Sequence, residues 1–317
     1  MGTIRDGGAP LLRSGWHCTA MNNLALYLAT VLIWGSTWIA ITFQFGKVPP
    51  TVSVAYRFAL ASCLLFAWCG LRRLPLRFSG REHGLMALQG LLLFGLNYVC
   101  VYVAETQISS GLVAVVFSLI LFLNILGTRV FFATPLRPAI VVGAALGVAG
   151  VALVFLPELG HQAGGARTLT GFTIAVVGTL SASLGQLLSA RNQRSGLPVV
   201  QLNAFGMLYG AILVALYAAL RGDAFVFDGS AAYLLSIGYL ALFGSVLAFG
   251  AYLTLIGRIG ADRAGYAGAA IPVVALLLSG LFEDFRWQAG TIIGIALCLA
   301  GNVLVLRRPG RTQGNTP

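Results

Sequence analysis

Apolar residues run along this chain in blocks about as long as a bilayer is thick, and polar and charged residues gather between the blocks. A spanning helix needs about 20 predominantly apolar residues. The pattern therefore predicts ten membrane-spanning helices, at approximately 24–45, 51–71, 84–104, 110–131, 138–157, 169–190, 199–220, 231–256, 264–282 and 288–306. The connections are mostly short, so one membrane-embedded unit is expected. Its parts are an N-terminal tail (1–22), a first five-helix block (23–157), a linker loop (158–168), a second block (169–306) and a disordered tail (307–317).

One of these blocks is written twice. "GAALGVAGVALV" (143–154) returns as "GIALCLAGNVLV" (294–305), identical at seven of twelve positions. The same offset of 151 carries Ile108 onto Ile259, Ile120 onto Ile271, Leu126 onto Leu277 and Phe131 onto Phe282. Five spans separate a position from its copy, and five is odd, so the copies cross the membrane in opposite directions. The expectation is an all-α integral membrane fold of two inverted-topology five-helix repeats. That design suits a secondary transporter, with substrate near the midplane between the repeats.

Composition excludes a soluble domain: 58 % of residues are apolar and 9 % charged, against roughly 25 % charged in soluble domains. The net charge of +11 does not signal a nucleic-acid partner, because of where the charges sit. With the N-terminus cytoplasmic, fifteen Lys/Arg fall in inner loops and tails and four, Lys47, Arg167, Arg221 and Arg286, in outer loops. This is the positive-inside signature, with both termini cytoplasmic and the plasma (bacterial inner) membrane as the location. The five cysteines imply no disulfide framework. The first twenty residues lack an apolar signal-peptide core, and Met21 directly precedes the first span, so residues 1–20 are expected to be dispensable.

Three local patterns then resemble a known group, the EamA-type exporters of the drug/metabolite transporter superfamily. They are "LIWGSTWIA" (32–40), "YRFALA" (56–61), and "IPVVALLLSGLFED" (271–284) followed by "GIALCLAG". The chain departs from an even repeat at the fourth helix, where Leu121 and Phe132 stand opposite Pro272 and Glu283. The resemblance implies export of amino acids or related metabolites.

Candidate cavity residues are the polar and aromatic side chains at helical spacing in the spans: Trp34, Ser36, Trp38, Asn97, Tyr98, Tyr102, Ser183, Gln186, Ser245 and Tyr252. A mixed aromatic and hydroxyl/amide lining suits a neutral or zwitterionic solute. Arg57, the one clear charge within a span, reads as a counter-charge for a substrate carboxylate, as a side chain snorkelling to the outer interface, or as one that ties down carbonyls at a neighbouring helix end. Pro272 is a candidate hinge and Tyr266 a candidate gate. All acidic residues and histidines fall in loops or near span ends, which favours facilitative transport; Glu105 is the one candidate coupling carboxylate. The alternatives are a proton-coupled drug/metabolite exporter and a sugar-phosphate or nucleotide-sugar exchanger. Missing Walker, nucleophile-elbow and His-Glu-x-x-His motifs argue against an enzyme. No metal or cofactor is expected, and the assembly is expected to be a monomer or homodimer. The Gly143/Gly147 and Gly290/Gly294 pairs read as scaffold packing within or between protomers.

Overall fold

A computed structural model describes residues 22–132, 138–159, 165–259, 266–283 and 287–306. The predicted tails and the centre of the linker lie outside the described residues. Every regular element described is helical. The helices are α1 (Asn23–Thr42), α2 (Pro50–Leu71), α3 (Gly80–Glu105), α4 (Ser110–Phe117) and α5 (Ile120–Phe132). They continue with α6 (Pro138–Leu159), α7 (Gly165–Arg194), α8 (Val199–Leu220), α9 (Ala231–Ile259), α10 (Tyr266–Phe282) and α11 (Ala289–Leu306). Eight helical segments are long and apolar enough to cross a membrane, and two shorter apolar stretches, Ala270–Phe282 and Ala289–Val305, complete the set.

Local chemistry sets the helix starts. The Asn22 side chain accepts from the Ala25 amide at 2.7 Å to cap α1. Ser79 and Glu82 form a reciprocal capping box on α3, and Ser230 caps α9. Pro50 opens α2, where its missing amide costs nothing.

Three spans are less regular than their sequences suggest. The fourth is broken at Ser118–Leu119 into α4 and α5, although no proline stands there. Ser118 Oγ donates to the Val115 carbonyl at 2.7 Å, and the Leu119 amide bonds three residues back to Val116, tightening the chain into a turn. The third and eighth spans each contain a π-helical stretch, Gly90–Leu96 in α3 and Leu240–Leu247 in α9, at matching places in the two repeats.

The repeats interlock. α2 packs on α8, α8 also packs on the π stretch of α3, and α2 packs on the π stretch of α9. α1 lies against α9 and α10 of the second repeat; α7 lies against α3, α4 and α5 of the first. The most extensive pair is α6 with α11, the helix that is written twice. A methyl built on Gly150 would sit 2.5 Å from the Gly294 carbonyl oxygen, and one on Gly294 would sit 2.5 Å from that of Gly150. Gly143 and Gly301 meet in the same way. Position 143 thus touches the copy of 150, and 150 touches the copy of 143, so the helices run antiparallel about a local pseudo-two-fold. Near that axis, Cys298 Sγ lies 3.4 Å from the carbonyl of Gly147, its own counterpart. The glycines pack within one chain, and Gly143 pairs with Gly301 rather than acting with Gly147, which faces the Phe122 ring.

Candidate functional site

Two stretches of polar and aromatic side chains dominate the interior. The first is built where α1, α2 and α3 meet the π stretch of α9. The Trp34 indole donates to the Gly244 carbonyl at 3.1 Å, and its ring packs on Phe249 and Tyr252 at centroid distances of 5.1 and 5.2 Å. A π stretch offsets the hydrogen-bond ladder and leaves carbonyls open to other donors, which is what the indole uses. The Ser36 and Tyr239 hydroxyls meet at 2.6 Å, and Ser245 Oγ donates to the Leu240 carbonyl at 3.0 Å. Trp38 packs edge-on against Phe117 of α4.

Arg57 sits at the centre of this group. A Cβ added to Gly244 would lie 2.8 Å from Thr37 Cγ2 and 3.4 Å from Arg57 Nη2, so glycine at 244 lets α9 close on both. The guanidinium lies over the Tyr98 ring at 4.6 Å and the Phe58 ring at 5.2 Å. Arg57 is 1 % exposed, and its Nε and Nη1 are buried without a hydrogen-bond partner. The snorkelling expectation is therefore corrected: the side chain runs inward, because α2 turns this position toward α3 and α9. The Tyr102 hydroxyl is also buried and unpartnered, and it lies within electrostatic reach of Arg57. Asn97 Nδ2 donates back to the Leu93 carbonyl at 3.1 Å, leaving its Oδ1 unpartnered.

Ser183 and Gln186 belong to a second group, on α7, and their partner is one that sequence reasoning missed. Asn124 of α5 accepts from Ser183 Oγ at 2.8 Å and donates to Gln186 Oε1 at 2.6 Å. A lone amide in the apolar run "ILFLNILG" was the available signal. Gln186 and Gln193 are exposed, roughly opposite the exposed Leu180 and Leu184 on the helix circumference.

Pro272 is buried and lines a small void with Ser118, Cys298 and Asn302, so the proline of one repeat faces the unmarked break of the other. The backbone of Tyr266 begins α10, but its side chain lies outside the described residues. The two best-formed voids each have room for about one water. In this conformation Trp34, Phe249 and Tyr252 are packed on one another, and Trp38 on Phe117.

At the end of the molecule that carries Lys47, polar ties join the repeats. Thr51 Oγ1 donates to Asp223 at 2.6 Å, Gln44 Nε2 to Ser236 at 3.1 Å, and Ser53 meets Tyr233 at 3.1 Å. Glu283 accepts from the Ser110 amide through both oxygens at 3.1 Å and from its hydroxyl at 2.6 Å, capping α4. Glu105 is buried nearby with both oxygens unpartnered. In the loop, the Ser230 amide and Lys47 hold the Asp228 carboxyl below the usual carboxylate range.

Known proteins share this organisation. The EamA-like transporter family matches residues 22–156 and again 169–307. The "Uncharacterized inner membrane transporter YedA" of Escherichia coli (strain K12) is 32 % identical over 280 residues, covering 86 % of this chain and 88 % of that one. The "Probable amino-acid metabolite efflux pump" of the same strain is 24 % identical over 298 residues, covering 89 % and 95 %. A solved crystal structure at 20 % identity shares the fold with a TM-score of 0.65, over 89 % of this chain and 96 % of that one. Two consecutive family matches, laid on two interlocked sets of apolar helices, show that this chain belongs to the EamA-like transporter family and is a multi-pass inner-membrane transporter.

Proposed function

We propose that the chain is a ten-span carrier, with both ends cytoplasmic, that exports amino acids with apolar or aromatic side chains, or related zwitterionic metabolites, by alternating access. The observation that carries the reading is Arg57: a buried cation with unpartnered nitrogens, walled by aromatic rings. Such a group leaves two donors for a carboxylate, and the rings around it accept an apolar body. Trp34, Trp38, Tyr98, Tyr102, Ser36, Asn97, Ser245 and Tyr252 would surround the solute once the packed side chains part. A single buried arginine suits one carboxylate better than a phosphate, which weighs against sugar-phosphate or nucleotide-sugar exchange. A relative that is named a probable amino-acid metabolite efflux pump supports the substrate class.

By the positive-inside bias, the Lys47 end is the outer one. Its polar ties and the Ser110–Glu283 cap support a closed outer face. The exposed Gln186 of α7 turns away from the lipid-facing leucines, and an amide at membrane depth must meet protein or water. This supports a wet cleft on the cytoplasmic side, floored by Asn124, Ser183 and Gln186, where solute would load.

The test is uptake of a radiolabelled amino-acid panel into liposomes holding only the purified protein. Uptake of aromatic and other apolar amino acids is the expected result. Transport of none of the panel would overturn the substrate assignment. The burial of Glu105 at the outer end supports keeping the proton-coupled alternative beside facilitative transport.

A further inference from the structure

The buried carboxylate at the end of α3 makes no hydrogen bond. Glu105 is 6 % exposed, and neither of its oxygens has a hydrogen-bond donor. The charged groups that act on it are Glu283 of α10 and Arg57 of α2. Arg57 and Glu105 do not come within the 4.0 Å of an ion pair, and both Glu105 oxygens are without a hydrogen-bond partner. From its own helix, Tyr102 faces the same space; from α7, Arg167 reaches the adjoining turn and donates to the Thr106 carbonyl. Two hydroxyls packed into this corner, Ser109 and Ser279, are buried and unpartnered as well.

An ionised carboxylate taken from water without donors costs several kcal/mol, and a second carboxylate beside it adds like-charge repulsion. Of the two acids, Glu283 is the one that has hydrogen-bond donors. Both of its oxygens accept from Ser110, at the first turn of α4, where the helix end favours an anion. Glu105 has nothing equivalent.

We propose that Glu105 is a proton-binding site tied to closure of the outer face: it holds one proton while Glu283 is docked on Ser110 and releases it to water when α10 leaves α4. No bond other than the O–H changes; the proton comes from, and returns to, water. Because the closed state carries one proton more than the open one, acid on the outer side favours closure, and outer pH biases which way the carrier faces. This rests on the alternating-access reading above.

The first test needs no substrate, so its outcome is independent of the amino-acid assignment. Infrared spectroscopy of the purified wild-type protein at neutral pH should show a protonated carboxyl stretch that shifts in Glu105→Asp and vanishes in Glu105→Gln. Absence of that band in the wild type, or its persistence in Glu105→Gln, would overturn the proposal. In liposomes, the rate of solute exchange should change with outer pH in the wild type and in Glu105→Asp, and lose that response in Glu105→Gln. Exchange rates in the wild type that ignore outer pH would also overturn it.

Discussion

At the scale of single residues, Arg57 and its aromatic walls make the sharpest claim. Tyr98→Ala removes the ring beneath the guanidinium. A desolvated cation–π contact is worth about 1–2 kcal/mol, so the apparent affinity for substrate is expected to fall roughly tenfold, with folded protein still present in the membrane. Unchanged concentration dependence of uptake would remove Tyr98 from the site. On the other side, Asn124→Ala strips Ser183 and Gln186 of their shared partner; transport should drop in that variant and in Gln186→Ala, and full rates in both would show that the group only holds α5 to α7. Trp34, Ser36, Tyr98 and Tyr102 were legible as candidates, since aromatic and hydroxyl side chains in the middle of an apolar run stand out. The burial of Arg57 and Glu105 was not. Distance from a span end, which the sequence reveals, says nothing about which neighbouring helix lies beside a side chain. Only the packing of α9 and α10 brings Gly244 to Arg57 and Glu283 to the corner that Glu105 occupies.

At the scale of helices, apolar block length located eight segments of spanning length and two shorter apolar helices where ten spans were expected, because spanning length is set by the bilayer and not by neighbours. The irregularities escaped. No residue type announces the π stretches in α3 and α9. Pro272 drew attention to the ninth span, yet the chain break lies in the fourth, at Ser118, where the visible cue is a serine that can bond back to its own helix. The glycines of α6 and α11 were legible as packing residues, although their pairing needed the antiparallel geometry. Their close approach carries a stability prediction. Gly150→Ala drives a methyl to 2.5 Å from a backbone carbonyl that has no room to retreat, and overpacking of this kind costs typically about 1–3 kcal/mol. Gly84→Ala, where nothing lies within 4 Å, is the matched control. Thermal denaturation in detergent should show a lower midpoint for the first variant and none of that loss for the second; equal midpoints would mean the seam yields freely.

For the whole molecule, the outer end should behave as a latch whose removal is felt across the carrier. Glu283→Gln replaces an anion that caps α4 with a neutral amide, weakening its hold on Ser110. The expected outcome is a shift toward the outward-open form. With native cysteines replaced, a cysteine at Ser279, which is fully buried here, should then react faster with a membrane-impermeant maleimide applied outside. Equal labelling with and without the substitution would place the outer gate elsewhere.

The reciprocal seam between α6 and α11 bears on how such a chain is organised as a polypeptide. Each side presents the same surface to the other in reverse, which is how two identical subunits meet across a two-fold axis. Half-length chains inserted in both orientations would close the same seam as separate molecules, at a strength set by their dilution in the bilayer. Joining them end to end makes that encounter intramolecular, at an effective concentration on the order of millimolar. It also ends the obligation to be identical. Pro272 opposite Leu121, and Glu283 opposite Phe132, are changes a self-associating half would have to bear twice, whereas the fused chain carries the proline and the latch once each, on the side that uses them.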